Sequence, residues 1–226
     1  MQVAPGVYAI GTAGSTVYLL GGAELSLIDA GGPGGERRVI RYVRRLGREP
    51  RDLARILLTR ADLDHAGALA ALVRATGAAV YAHPAALPRL AAGDLARGGH
   101  GWRSWLAWLR RPLSPAGPVA AQAVADGAVF PALGRLEALL TAGPSPDHVV
   151  YFLRPSRLLL AGDLLRVQRG RLEVGPVPGA AAAHEMVVAL RRAAALDPRA
   201  VLPAQGGVWR DNVALRLVRL AEIMER

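Results

Sequence analysis

The sequence predicts an α/β protein with two sheets, one in each half of the chain, and helices lying outside them. Two observations carry this. Short apolar runs, some alternating and some continuous, take turns with segments of helical periodicity in both halves of the chain. Two of the apolar runs also end on a loop acid, one at Asp29 before a glycine loop and one at Gly162-Asp163, as expected where a strand turns into a loop.

In chain order, Val7–Ile10 reads as a short strand. "STVYLL-GG-AELSLIDAGG" reads as a hairpin about a Gly-Gly turn, ending in Asp29 and a glycine loop. The spacing predicts a helix over Glu36–Leu46 with Val39, Ile40, Val43 and Leu46 on its dry face and arginines on its wet one. A strand, Ala54–Leu58, leads into "LLTRADLDHAG". A helix over Ala66–Ala75 follows, apolar almost all round and therefore buried. "AAVYAHP" reads as a strand stopped by Pro84, with a short helix behind it. In the second half "GRLEALLTAG", "HVVYFL" and "SRLLLAGD" read as strands, the last ending at Gly162-Asp163. A helix Ala182–Leu196, a strand "RAVLPAQGG" and a closing helix over Asp211 to Glu225 complete the order.

The 226 residues suit one large domain with ample length for a core. Between the halves lies a Trp-rich segment at about 94–118, with tryptophans at 102, 105 and 108. Spaced by threes, they share one face of a short helix. That face packs on the domain, closes over a pocket as a lid that puts Trp102 and Trp105 beside a ligand, or makes a homodimer contact. Shallow membrane attachment is a further reading, with no stable insertion, because no apolar run approaches the roughly 20 residues that span a bilayer.

All 28 basic residues are arginine, and the net charge is +10. Together with the abundance of Ala, Gly and Pro this matches GC-rich codon usage, and the arginines are scattered. With no stacking platform or nucleic-acid motif, a nucleic-acid partner is not expected; a small-molecule substrate or ligand is. The absence of cysteine excludes disulfides and thiolate metal sites. The N-terminus has neither a basic start nor an apolar signal core, so a cytoplasmic location is expected.

Chemistry concentrates in "LLTRADLDHAG". Asp62 just before a buried helix reads as an N-cap, and Asp29 and Asp163 at strand ends read equally as turn residues. Alternatively these acids and His65 converge as a site. His83 reads as a turn residue or one facing the pocket, His100 lies among glycines in the Trp-rich segment, and His184 reads as a surface residue. There is no G-x-S-x-G elbow, Walker loop or dinucleotide fingerprint.

The ordered landmarks "LIDAGG", "LLTRADLDHAG", "TAGPSPDHVVYFL", "LLLAGDLL" and "VLPAQGG" resemble those of the metallo-β-lactamase superfamily, in its glyoxalase II-like and broad hydrolase branch, over nearly the whole chain. The resemblance implies a four-layer αβ/βα sandwich with a metal site along one edge. It also implies a hydrolase ancestry, with ester, thioester or amide substrates. The family's His-x-His-x-Asp-His motif here reads Arg60-Ala61-Asp62-Leu63-Asp64-His65. Pro144 and Gln205 stand at two further histidine positions, and Asp163 at the bridging aspartate. Arg has no lone pair to give and Pro has no side-chain donor, so an ordinary dinuclear zinc centre is not expected.

Two arrangements follow. In the first, Asp64, His65 and Asp163, with Asp62 or Gln205, hold at most one divalent metal, manganese, iron or zinc. Asp64 and Arg60 would then be the catalytic pair of a metal-dependent hydrolase. In the second, Arg60 replaces the metal in a non-catalytic pseudoenzyme, and the cleft binds a small ligand or partner. Asp29, Thr59 and His148 would support either site from behind. A guanidinium at ~4 Å from a divalent cation, at an effective dielectric near 20, costs roughly 8 kcal/mol before the carboxylates offset it, which favours the second.

Overall fold

The computed structural model describes residues 1–95, 117–177 and 179–225. The Trp-rich stretch, with Trp102, Trp105 and Trp108, falls outside them.

The first half builds a seven-stranded sheet in sequential order. It comprises β1 (Gln2–Ala4), β2 (Val7–Gly11), β3 (Thr16–Leu20), β4 (Leu25–Ile28), β5 (Leu53–Leu57), β6 (Ala79–Ala82) and β7 (Gln122–Ala123). Pairing is antiparallel from β1 to β4 and parallel from β4 to β7. The second sheet runs β8 (Val129–Phe130), β9 (Leu136–Leu140), β10 (Val149–Leu153), β11 (Leu158–Gln168) and β12 (Arg171–Val174), antiparallel throughout. β13 (Ala200–Gln205) joins β11 in parallel.

The sheets face each other through a shared core that includes Tyr18, Leu20, Ile28, Leu57, Leu136, Val149 and Tyr151. Leu19, Leu27 and Ile56 point to the other side of the first sheet, where α1 (Glu36–Arg45) and α3 (Leu69–Thr76) cover them. On the far side of the second sheet Val150, Phe152 and Leu159 pack under α5 (Ala180–Ala195) and α6 (Val213–Met224). Both sheets are thus buried on both faces, which is why their strands read as continuous apolar runs rather than alternating ones. The result is the four-layer αβ/βα sandwich. Cross-ties fix one sheet on the other: Val149 N–H donates to Thr59 O (2.8 Å), Tyr151 Oη–H to Leu58 O (2.9 Å) and Tyr18 Oη–H to Pro203 O (2.8 Å).

Three sequence expectations need correction. The helix expected over Ala66–Ala75 is split into α2 (Leu63–Ala66) and α3 by a turn at Gly67, where a Cβ would come within 2.5 Å of Pro33 Cδ. The strand expected to stop at Gly162-Asp163 continues to Gln168. It bulges there, because two β11 steps are inserted against β13 between the Gly162–Pro203 and Arg166–Gln205 pairs. Asp62 stands at the N-cap position of α2 but accepts no capping bond; its carboxylate is turned elsewhere.

Candidate functional site

Loops at one end of the two sheets bring the candidate residues together. Asp29 follows β4 in a left-handed conformation (φ 62°), Thr59 to Asp62 follow β5, and Asp64 and His65 lie on α2. His148 precedes β10, Asp163 sits in the β11 bulge, and Gln205 ends β13. The bulge depends on Gly162 at φ 52°, where an added Cβ would lie 2.8 Å from both His148 Nε2 and Thr59 Cβ.

At the centre is Arg60. Its guanidinium donates from one nitrogen to Asp163 Oδ2 (2.9 Å) and pairs through the other with Asp62. This pairing is why Asp62 does not cap α2. His65, fully buried, bridges two carboxylates: Nδ1 lies 2.9 Å from Asp29 Oδ2 and Nε2 lies 3.2 Å from Asp163 Oδ2. Burial works against a charged ring here, but Asp29 and Asp163 outweigh it and hold His65 protonated well above the ordinary histidine range. Burial likewise opposes ionisation of Asp163. His65 and Arg60 win, and its carboxyl is held far below the usual range. Asp29 is fixed in turn by Thr59, whose N–H and Oγ1–H each donate to it at 2.7 Å.

Asp64 differs from its neighbours. Burial pushes its carboxyl up; the charge on His65 pulls it down and Asp163 pushes it up again, with a net rise. Its Oδ2 is 3.9 Å from His65 Nε2, and its Oδ1 has no partner among the described residues. Gln205 Nε2 donates to Gly14 O, tying the end of β13 to the loop between β2 and β3.

His148 is a support rather than a member of the cluster. Burial pushes it down to about 3, so the ring is neutral. Its Nε2 accepts the Asp163 N–H (3.2 Å), which leaves the proton on Nδ1 to meet Thr141 Oγ1 at 2.7 Å. Two residues that sequence reasoning missed hold the loop from below. Asp147, buried, accepts from Ala61 N–H (3.0 Å) and from Arg89 (2.7 Å), and Arg89 also donates to Ala61 O (3.1 Å). Asp147 stands in the quoted "PSPDHVV" run, but no feature of the sequence separates Arg89 from the other arginines.

A cleft of about 350 Å³ opens over the cluster, lined by Arg60, Asp64, Asp163, Arg166, Gln205 and neighbouring loops. Among the described residues no group of three His, Asp or Glu side chains has metal-holding geometry, and no helix is long and apolar enough to cross a membrane.

The sequence profile of the metallo-β-lactamase superfamily matches residues 10–205. A metallo-β-lactamase family protein from Thermus thermophilus is similar in structure, with a TM-score of 0.75 at 24% identity over 99% of this chain and 81% of that one. A Cronobacter sakazakii metallo-β-lactamase with an HARLDQ motif gives a TM-score of 0.67 at 23% identity, over 100% and 90% of the two chains. A B3 metallo-β-lactamase with an active-site glutamic acid gives 0.69 at 27% identity, over 98% and 85%. Among curated proteins no sequence matches. Two sheets joined through one core, helices on both outsides and an acidic loop cluster at one sheet end agree with the profile match: this chain belongs to the metallo-β-lactamase superfamily.

Proposed function

We propose that this protein is a superfamily member that works without the usual pair of zinc ions, with Arg60 standing where a metal would sit and the cleft above it holding a small polar ligand. The observation that carries the reading is the shared guanidinium: Arg60 pairs with Asp62 and Asp163 at once.

The donor set supports it. Arg60 offers no lone pair, His65 is protonated against a carboxylate at each ring nitrogen, and the free lone pair of His148 is taken by the Asp163 amide. Pro144, at a family histidine position, has no side-chain donor. These residues do not fit a dinuclear zinc centre. Charge supports it too. Asp29, Asp62 and Asp163 face two built-in cations, Arg60 and His65, which offset two of the negative charges that a metal ion would otherwise neutralise.

One observation favours a second reading, a hydrolase with a single manganese, iron or zinc ion acting on an ester, thioester or amide. The unpartnered Oδ1 of Asp64 is a free donor beside Asp163. That reading requires Arg60 to leave Asp163. Assays of tag-free protein on activated esters and thioesters, with each metal added, separate the two. Expected is no turnover above background, and a gain of zinc binding on Arg60→His with Pro144→His. Metal-dependent turnover lost on Asp64→Ala would establish the second reading instead.

A further inference from the structure

A second cleft, of about 400 Å³, lies where the start of α6 meets β12, and it shares no lining residue with the cleft over Arg60. Its walls are Trp209, Asp211, Asn212 and three arginines, Arg171, Arg216 and Arg219, with Leu215 at the side. Its size falls in the roughly 300–1,000 Å³ range of small-molecule sites.

The chemistry of the walls is one-sided. Three guanidiniums stand against one carboxylate, a net charge of +2. Arg171 and Arg219 are exposed and have no acceptor among the described residues. Arg216 reaches only Leu172 O, at a long 3.4 Å, and its Nε has no partner. Asn212, Leu215, Arg216 and Arg219 recur at three- and four-residue steps, so they share the face of α6 turned away from its core residues Val213, Leu217, Leu220 and Ala221. Several surface arginines on this protein are engaged by carboxylates, as Arg191 is by Glu225, Arg192 by Asp126 and Arg154 by Glu137, while others such as Arg41, Arg44 and Arg169 have no side-chain partner among the described residues. The three here have no such partner.

Two further features define what fits. The 12-residue helix α6 is preceded by Asn212 in a left-handed conformation with no side-chain cap, so its first N–H groups and the positive end of its dipole are left for an anion. Trp209 is anchored by its Nε1–H donating to Asp211 O (2.7 Å) and by backbone pairing with Val201. Trp209 is therefore an anchored aromatic side chain on the cleft wall that also carries the guanidiniums.

We infer that this cleft binds a small phosphate monoester carrying a planar ring, the phosphate taken by Arg171, Arg216, Arg219 and the α6 N-terminus, and the ring laid on Trp209. A phosphate monoester carries about −1.5 to −2 at neutral pH, which matches the net +2, whereas a carboxylate supplies only half of it. Guanidinium forks suit phosphate oxygens. The inference is independent of how the Arg60 cleft works.

Calorimetric titration of the intact protein at low salt with phenyl phosphate, inorganic phosphate and phenol tests it. Expected is saturable 1:1 binding of phenyl phosphate, with inorganic phosphate weaker by roughly tenfold or more and phenol silent. The double variant Arg171→Gln/Arg219→Gln, at two exposed positions, should lose about tenfold or more in phenyl phosphate affinity with its melting temperature unchanged. Arg166→Gln, in the other cleft, should leave that affinity unchanged. The inference is overturned by absence of saturable binding, by equal affinity for phenyl and inorganic phosphate, by an unaffected double variant, or by a loss that follows Arg166→Gln.

Discussion

Replacing Arg60 by glutamine removes a charge that two buried carboxylates share. The Arg60 side chain is 11% exposed, Asp62 4% and Asp163 13%, so water cannot take over the missing bonds without the loop opening. Asp163 would still have His65 at 3.2 Å, whereas Asp62 would lose the cation paired with it. Breaking a buried pair from one side costs about 3–5 kcal/mol, and the remaining compensation of Asp163 points to the lower end, roughly 3 kcal/mol at pH 7. For a chain of this length that is a fall of roughly 6–12 °C in melting temperature. Urea unfolding at pH 7 measures it, and a double-mutant cycle locates it: Asp62→Asn in the Arg60→Gln background should restore most of the loss. A cost under about 1 kcal/mol, the value of an exposed pair, with no rescue by Asp62→Asn, would refute the placement of Arg60 among the acids.

Other outcomes follow from the same geometry. The folded pKa of His65 is raised, so its contribution is full below about pH 6.5 and is lost as pH rises through the folded value. Unfolding free energy should therefore fall as pH rises above about 6.5, by up to about 1.4 kcal/mol per unit, until the folded imidazolium is lost, and His65→Gln should flatten that slope. A pH-independent wild type would count against the buried imidazolium. His148 should keep a neutral ring with its proton on Nδ1 from pH 7 down to about pH 4 in nitrogen NMR spectra; a titration midpoint near 6.5 would contradict its role as acceptor for the Asp163 amide. Gly162→Ala sets a Cβ 2.8 Å from His148 Nε2 and Thr59 Cβ at a left-handed position, and should cost about 1–3 kcal/mol in thermal unfolding.

Much of this fold is legible in the sequence for a physical reason. Because each sheet is covered on both sides, runs such as "HVVYFL" and "RLLLAG" had to be apolar at successive positions, and they stand out. Elements without that constraint stay hidden. β12, with Leu172 as its one fully buried side chain, and the two-residue strands β7 and β8 carry too little apolar pattern to announce themselves. Gly67, between α2 and α3, packs against Pro33, some thirty residues upstream, which no local window contains. At the site, the ordered motifs carried Asp29, Arg60, Asp62, Asp64, His65 and Asp163 to one sheet end, and these residues do meet there. Which partner each takes was not legible. Asp62 had both a helix N-terminus and a guanidinium within reach, and only three-dimensional placement selects the guanidinium. Nor was it legible that Gln205, a candidate oxygen donor by its motif, places its amide nitrogen on Gly14 O. The Arg89–Asp147 clamp joins residues 58 positions apart and leaves no trace in either neighbourhood.

The most direct measurement is zinc stoichiometry: calorimetric titration of zinc into tag-free, chelator-stripped protein, with the same solution checked by elemental analysis. Expected is no stoichiometric uptake at micromolar zinc by the wild type, because Arg60 already occupies Asp62 and Asp163 and His65 is held between Asp29 and Asp163. Two zinc ions bound tightly per chain, with Arg60 displaced from Asp163, would contradict the proposal that a guanidinium has taken the place of the metal.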